Sequence, residues 1–175
     1  KQSLYRQPEI ELIFDFLKAL TNPQDSISLY HLLASEIYNS NLTRLMSQAA
    51  TSSRQNRSLE DALLSDVTGD IAFDEQILTF AGQLERWRRL STEYTVGQLV
   101  FDFLQVTGYL DRLVAESKVN LALETKIRNL SRFFGLLSDF ERVAIDKSVL
   151  AYTLAVEALR NAGDDPDTSV ADESL

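Results

Sequence analysis

The chain has no cysteine, and only one histidine, one methionine and one tryptophan among its 175 residues. Without cysteine there is no disulfide, no thiolate metal site and no thiol redox chemistry, a composition that fits an intracellular protein. One histidine cannot build a zinc site of the usual kind. Flanked by Tyr30 and Leu32 in a short apolar segment, His31 reads as structural before it reads as a ligand or base. No apolar run approaches the roughly 20 residues of a membrane-crossing helix, and the N-terminal KQSLYRQPEI lacks a signal-peptide core. GxxxxGK before Ser or Thr, GxGxxG and GxSxG are all missing, so nothing marks a phosphate cradle or an acyl-transfer nucleophile. No catalytic residue and no metal site are expected. Residue 1 is Lys and the sole methionine, Met46, lies inside a helical pattern, so the chain is expected to be a segment of a longer polypeptide.

With 45% hydrophobic and 25% charged residues, the chain has the composition of a folded protein and enough length for one substantial core. The net charge of −9 is uneven. Residues 164–175 hold Asp164, Asp165, Asp167, Asp172 and Glu173 with no basic residue, leaving 21 acids against 17 bases elsewhere. That balance argues against a domain that grips duplex DNA through bulk electrostatics, while local basic patches remain open.

Helix punctuation runs through the chain. Pro8 suits a first helical turn, Ile10, Ile13, Phe14, Leu17 and Leu20 recur at helical spacing, and Asn22-Pro23 ends the run. Ser26 is expected to cap a second helix with Ile27, Tyr30 and Leu33 on one side, and Ser40 or Asn41 a third through Leu42, Leu45, Met46 and Ala49. TSSRQNRS, residues 51–58, reads as a solvated loop closed by Ser58 as the next cap. After Gly69-Asp70 a long helix carries Ile77, Phe80, Ala81, Leu84, Trp87 and Leu90. Thr95 with Gln98 forms a capping box before Val96, Leu99, Val100, Phe103 and Leu104, and Gly108 is a stop. A short helix from Tyr109, a helix opened by Asn120 with Ile127, Leu130, Phe134, Leu137 and Phe140, and a last one capped by Ser148 with Leu150, Leu154, Ala158 and Leu159 complete the pattern. The expected fold is all-α: one irregular domain of about eight helices over residues 1–163, with a short extended segment at Ser3 to Arg6 and an acidic mobile tail at 164–175.

Carboxylates such as Asp15, Glu60, Asp61, Glu75, Glu85, Asp102 and Asp111 fall on polar helix faces, where solvation accounts for them, and no pair has the spacing of an acid/base site. GDDPD at 163–167 lacks the glycine and distal glutamate of an EF-hand loop. Two basic groups could meet phosphate: Arg54 with Arg57, and Arg86, Arg88 and Arg89 beside Trp87 in ERWRRL. Helical spacing from Leu84 and Leu90 also places Trp87 on the apolar side, with the arginines outside.

SLYRQPEIELIFDFLKALTNPQDSISLYHLLASEIY, residues 3–38, resembles the segment of UvrD/Rep-like superfamily 1 DNA helicases that leaves the second motor domain and enters its helical insertion, subdomain 2B. WRRLSTEYTVGQLVFDFLQVTGYLDRL (87–113), NLSRFFGLLSDFE (129–141) and SVLAYTLAVEALRNAGDDPD are similar to later helices of that subdomain, especially in AddA-like helicase-nuclease relatives. The resemblance implies a non-catalytic accessory domain of a DNA repair or recombination helicase, cytoplasmic and nucleoid-associated. ATP and magnesium would be bound by motor domains of the same polypeptide, and the partners would be those motor domains, DNA or another repair protein, with no membrane. An inserted domain should also bring its two ends together. UvrD-like relatives carry a glycine-containing hairpin that grips the duplex where this chain has SEIYNSNLTRL, without glycine. What carries over is a contact surface at Ser35, Asn39, Ser40, Asn41 and Thr43, residues that equally suit helix caps. The alternative is a protein-interaction module with no DNA contact.

Overall fold

The computed structural model describes residues 2–168. Among them the architecture is all-α: α1 (Pro8–Thr21), α2 (Ser26–Ala34), α3 (Leu42–Arg54), α4 (Leu59–Ser65), α5 (Ile71–Leu90), α6 (Val96–Val106), α7 (Tyr109–Ser117), α8 (Leu121–Val143) and α9 (Val149–Asn161). A 3-10 turn, Leu4–Arg6, precedes α1. The chain divides into two compact units: one of Lys1–Ile13 with Tyr94–Leu175, the other of Phe14–Glu93. The boundary falls inside α1, which is apolar nearly all round and buries Ile10, Leu12, Ile13, Phe14, Phe16, Leu17, Ala19 and Leu20.

Most helix starts lie where a side chain can accept an orphan backbone N–H. Asn41 accepts from Arg44 N, Ser58 from Asp61 N, Asp70 from Phe73 N, Asn120 from Ala122 N and Ser148 from Ala151 N. Thr95 and Gln98 form the reciprocal capping box. Gly108 sits at φ 76°, a left-handed position where a side chain is strained, and turns the chain from α6 into α7.

Several local expectations are corrected. Asp25, not Ser26, caps α2, and Ser26 Oγ instead accepts from Leu59 N at the start of α4. The buried face of α2 is Ser28, Leu29, Leu32 and Leu33, while Ile27 is exposed. Residues 51–54 extend α3 rather than opening a loop, and only 55–58 connect to α4. On α3 only Leu45 of the expected stripe is buried; Leu42 and Met46 face solvent. Phe133 is the buried phenylalanine of α8, with Phe134 beside it at 5.8 Å. The largest departure is α9, where Val149, Tyr152, Thr153 and Val156 are buried and Leu150, Leu154 and Leu159 are exposed. Spacing alone does not separate the two sides of a helix that is apolar on both.

The unit containing residues 2–13 and 94–168 closes on itself at its ends. Leu4 N donates to Pro166 O (2.8 Å), Thr168 N donates to Gln2 O (2.9 Å), and Ser3 pairs with Asp167 in an isolated antiparallel bridge. Ser3 Oγ also donates to the Asp165 carboxylate, and Arg132 Nε to Asp167 O (2.7 Å). Of the acidic tail, 165–168 therefore take part in this pairing, and residues 169–175 lie outside the described residues. In the same unit, Asn129 Nδ2 on α8 donates to Glu9 Oε2 on α1 (2.9 Å), with both residues buried.

Burial pushes the hydroxyls of Tyr38 and Tyr152 far above the ordinary tyrosine range, and burial followed by the nearby Asp165 raises Tyr5. These groups keep their protons in the folded state when the unfolded chain would lose them. Stability is therefore complete below about pH 10, the unfolded tyrosine value, and falls as pH rises further. In an ultraviolet titration Tyr38 and Tyr152, two of six tyrosines, should ionise only with unfolding. One transition of all six near the free-tyrosine value of about 10 would contradict the packing.

Candidate functional site

The connection from α2 to α3 carries the first group of candidate contact residues. Ser35 ends α2, its hydroxyl donating to Leu32 O (2.6 Å) and its carbonyl accepting from Tyr38 N and Asn39 N (3.2 and 2.7 Å). Asn39 takes φ 46°, the left-handed conformation that asparagine tolerates better than most residues, so the turn forms without glycine. Ser40 N donates to Leu33 O (3.0 Å), and Ser40 Oγ is buried without a hydrogen-bond partner. Gln76 Nε2 on α5 donates to Tyr38 O (2.8 Å), and the Tyr38 ring meets Phe80 edge-on at 5.2 Å. Asn39, Asn41 and Thr43 are exposed; Ser35 and Ser40 are occupied in or buried by the turn itself.

The arginines divide sharply. Arg57 donates to both Asp61 (Nε–Oδ2, 2.9 Å) and Asp66 (Nη1–Oδ2, 3.1 Å), and also to Gln55 Oε1 (2.9 Å). Those bonds hold the Asp61 carboxyl below its ordinary range. Arg88 is a clamp. Nη1 and Nη2 grip the two carboxylate oxygens of Glu60 on α4 (3.0 and 2.6 Å), while Nε and Nη2 donate to Leu20 O and Ala19 O in the last turn of α1 (3.1 and 3.0 Å). Those carbonyls have no intrahelical donor, so Arg88 satisfies a helix end as well as an ion pair. Trp87 is fully buried, edge-on to Phe16 at 5.1 Å, which fits core packing rather than base stacking. Arg86 is half-buried. Arg54 bonds only weakly to Thr51 Oγ1 (3.3 Å), and Arg89 lies 3.5 Å from Glu85 with both side chains largely exposed.

These residues do not converge. Asn41 and Arg54 stand at opposite ends of α3, about 20 Å apart at 1.5 Å per residue, and Arg89 lies about 20 Å along α5 from Gln76, which holds the α2–α3 turn. His31 is exposed and meets Tyr30 edge-on at 6.2 Å. No group of three or more metal-ligating side chains occurs among the described residues, and no described helix is long and apolar enough to cross a membrane.

A concave apolar surface, which the sequence patterns did not single out, lies between α3, α4 and α5. Its cavity is about 340 Å³, floored by buried Leu63, Phe73 and Ile77. Leu64, Val67, Ile71 and Leu78 wall it; Ile71 and Leu78 are 74% and 75% exposed. Asp74 also lines it, accepting from Thr68 Oγ1 (2.7 Å), Thr68 N (3.1 Å) and Gly69 N (3.0 Å). The threonine and these amides hold its carboxyl below the ordinary range. The available signal was the apolar pair Ile71 and Leu78 on α5, spaced i and i+7 around Asp74 and Glu75 and outside the buried line of Phe73, Ile77, Phe80, Leu84 and Trp87.

No family model matches the chain. It is 25% identical over 159 residues to an ATP-dependent helicase/nuclease subunit of Ruminiclostridium cellulolyticum, a match covering 82% of this chain and 12% of that protein. The chain resembles part of a helicase/nuclease subunit. In Natranaerobius thermophilus, the subunit of the same description is 29% identical over 111 residues, covering 59% of this chain and 8% of the relative. The chain thus spans about a tenth of the length of these helicase/nuclease relatives.

Proposed function

We propose that the chain is a non-catalytic accessory lobe of a larger ATP-dependent DNA helicase of the UvrD/Rep kind, corresponding to the helical insertion 2B, and that it modulates unwinding by contacting DNA or a partner protein. ATP and magnesium belong, in this reading, to motor domains elsewhere in the polypeptide. The observation that carries it is the pairing of residues 2–4 with 166–168, which lets a helical lobe leave and re-enter another domain at one point. The similarity to helicase/nuclease proteins supports the same reading. Exposed Asn39, Asn41, Thr43, Arg54 and Arg89 remain the side chains available to DNA.

The test is excision of residues 4–166 from the whole helicase, joining the ends with a short Gly-Ser linker. Single-strand-stimulated ATP hydrolysis should survive, while duplex unwinding changes about tenfold, an ordinary size for coupling between sites. Abolished hydrolysis would place the segment within the motor, and unchanged unwinding would remove its regulatory role. A second reading, a protein-interaction module without DNA contact, is favoured by the net charge of −9 and by the pairing of Arg57 and Arg88 with carboxylates.

A further inference from the structure

From Ser58 to Glu85 the chain carries Glu60, Asp61, Asp66, Asp70, Asp74, Glu75 and Glu85 and not one lysine, arginine or histidine. This stretch supplies almost the entire lining of the groove between α3, α4 and α5. Its local cations are engaged at its margins, Arg57 with Asp61 and Asp66, and Arg44 with Asp70 (3.2 Å). Within the groove Asp74 is oriented by backbone amides, and exposed Glu75 stands next to it on α5. Ile71 and Leu78 lie seven residues apart on one line of that helix, about 10 Å, with the two carboxylates between them. The surface is thus apolar along its length, with the Asp74 and Glu75 carboxylates at its centre and carboxylates paired with Arg44 and Arg57 at its edges.

We propose that this groove is a docking site for an amphipathic α-helix of a partner protein whose apolar stripe is flanked by lysine or arginine. Two apolar residues of such a helix, spaced i and i+7, match the distance from Ile71 to Leu78, and a third at i+3 or i+4 fits over the floor of Leu63, Phe73 and Ile77. Basic residues beside the stripe meet Asp74 and Glu75, which fixes register and rejects acidic helices. Chemistry selects against the other coverings: an anionic membrane surface is repelled by the same carboxylates, and a second copy of a chain with net charge −9 brings more negative charge to a negative face. The inference rests on the reading of the lobe as a contact-making accessory, but its test needs neither ATP nor DNA, so the two can fail separately.

The probe is a fluorescein-labelled 18-residue Leu/Lys peptide with leucine at i, i+3, i+4 and i+7 spacing, tested on the 175-residue chain by anisotropy. Its controls are a scrambled peptide of the same composition and a twin with Glu for every Lys. Saturable binding in the micromolar range is expected, about tenfold weaker for both controls. Leu78→Lys and Ile71→Lys should each weaken it about tenfold, with the helical melting curve unchanged because both side chains are exposed; Glu75→Lys should weaken it less and reduce the salt dependence. Equal affinity for the scrambled peptide, or indifference to Leu78→Lys, overturns the proposal. So does self-association of the unliganded chain abolished by Leu78→Lys, or flotation with anionic vesicles lost in that variant, since each assigns the groove another occupant.

Discussion

Asn129→Asp is expected to cost the unit containing α8 about 4 kcal/mol at pH 7.5, a large share of the 5–15 kcal/mol that holds an ordinary domain together. Asn129 is the donor to the Glu9 carboxyl group, 2.9 Å away, and both residues are only 2% exposed. The substitution replaces that donor by a second carboxyl group, and two such groups at hydrogen-bonding distance in a buried site do not both ionise. The folded variant then retains a proton that the unfolded chain releases at neutral pH. Because the folded state binds more protons, stability falls as pH rises, and the loss should shrink markedly between about pH 7.5 and pH 5. Asn129→Ala removes the donor without adding a second carboxyl group and should cost about 2–3 kcal/mol. Urea unfolding followed by circular dichroism at both pH values distinguishes these outcomes; an Asp variant as stable as the parent at pH 7.5 would show that the Glu9–Asn129 contact is open to water.

Arg88→Ala is the second substitution with a large expected effect, and it bears on function as well as stability. Removing the guanidinium leaves the Glu60 carboxylate, 13% exposed, without its bidentate partner, and strips Ala19 O and Leu20 O of their side-chain donors. The pair is not fully buried, so the expected loss is about 2–3 kcal/mol rather than the roughly 3–5 kcal/mol of a sealed ion pair. Lysine should recover little, since one ammonium cannot span two carboxylate oxygens and two carbonyls in the geometry of a planar fork. Trp87, the only tryptophan, is fully buried one residue away, so its fluorescence follows the unfolding of this unit directly. A variant within about 0.5 kcal/mol of the parent, like an ordinary surface substitution, would return Arg88 to the pool of side chains free to meet phosphate.

Arg88 shows where sequence patterns stop. Asn41, Ser58, Thr95 with Gln98, Asn120 and Ser148 were recognisable as caps because each closes a bond to a backbone amide two or three residues away. That information is local. ERWRRL showed three arginines around a tryptophan, but the carboxylate that claims Arg88 lies 28 residues earlier in the chain and its carbonyl partners 68 and 69 residues earlier. Periodicity likewise located α9 but chose Leu150 and Leu154 as its inner face, when Val149, Tyr152 and Val156 are the buried residues. The groove was hidden for a related reason: Ile71 and Leu78 look like stray apolar residues until α3 and α4 supply the other walls. The expectation of adjacent ends came from the family resemblance. No local pattern links Ser3 to Asp167, yet the two pair as neighbours.

That pairing can be probed with unusual clarity because the chain contains no cysteine. The flanking bonds, Leu4 N to Pro166 O and Thr168 N to Gln2 O, make Ser3 and Asp167 a non-hydrogen-bonded antiparallel pair, whose Cα atoms are about 4.5 Å apart and within disulfide range. Under mild oxidation the double variant Ser3→Cys, Asp167→Cys should form an intramolecular disulfide nearly quantitatively in the native state. The oxidised form should gain up to about 4–5 kcal/mol, as expected for closing so long a loop. Two thiols that stay free in the folded protein, or that pair only between molecules, would contradict a lobe whose ends meet, and the insertion reading would fall with it.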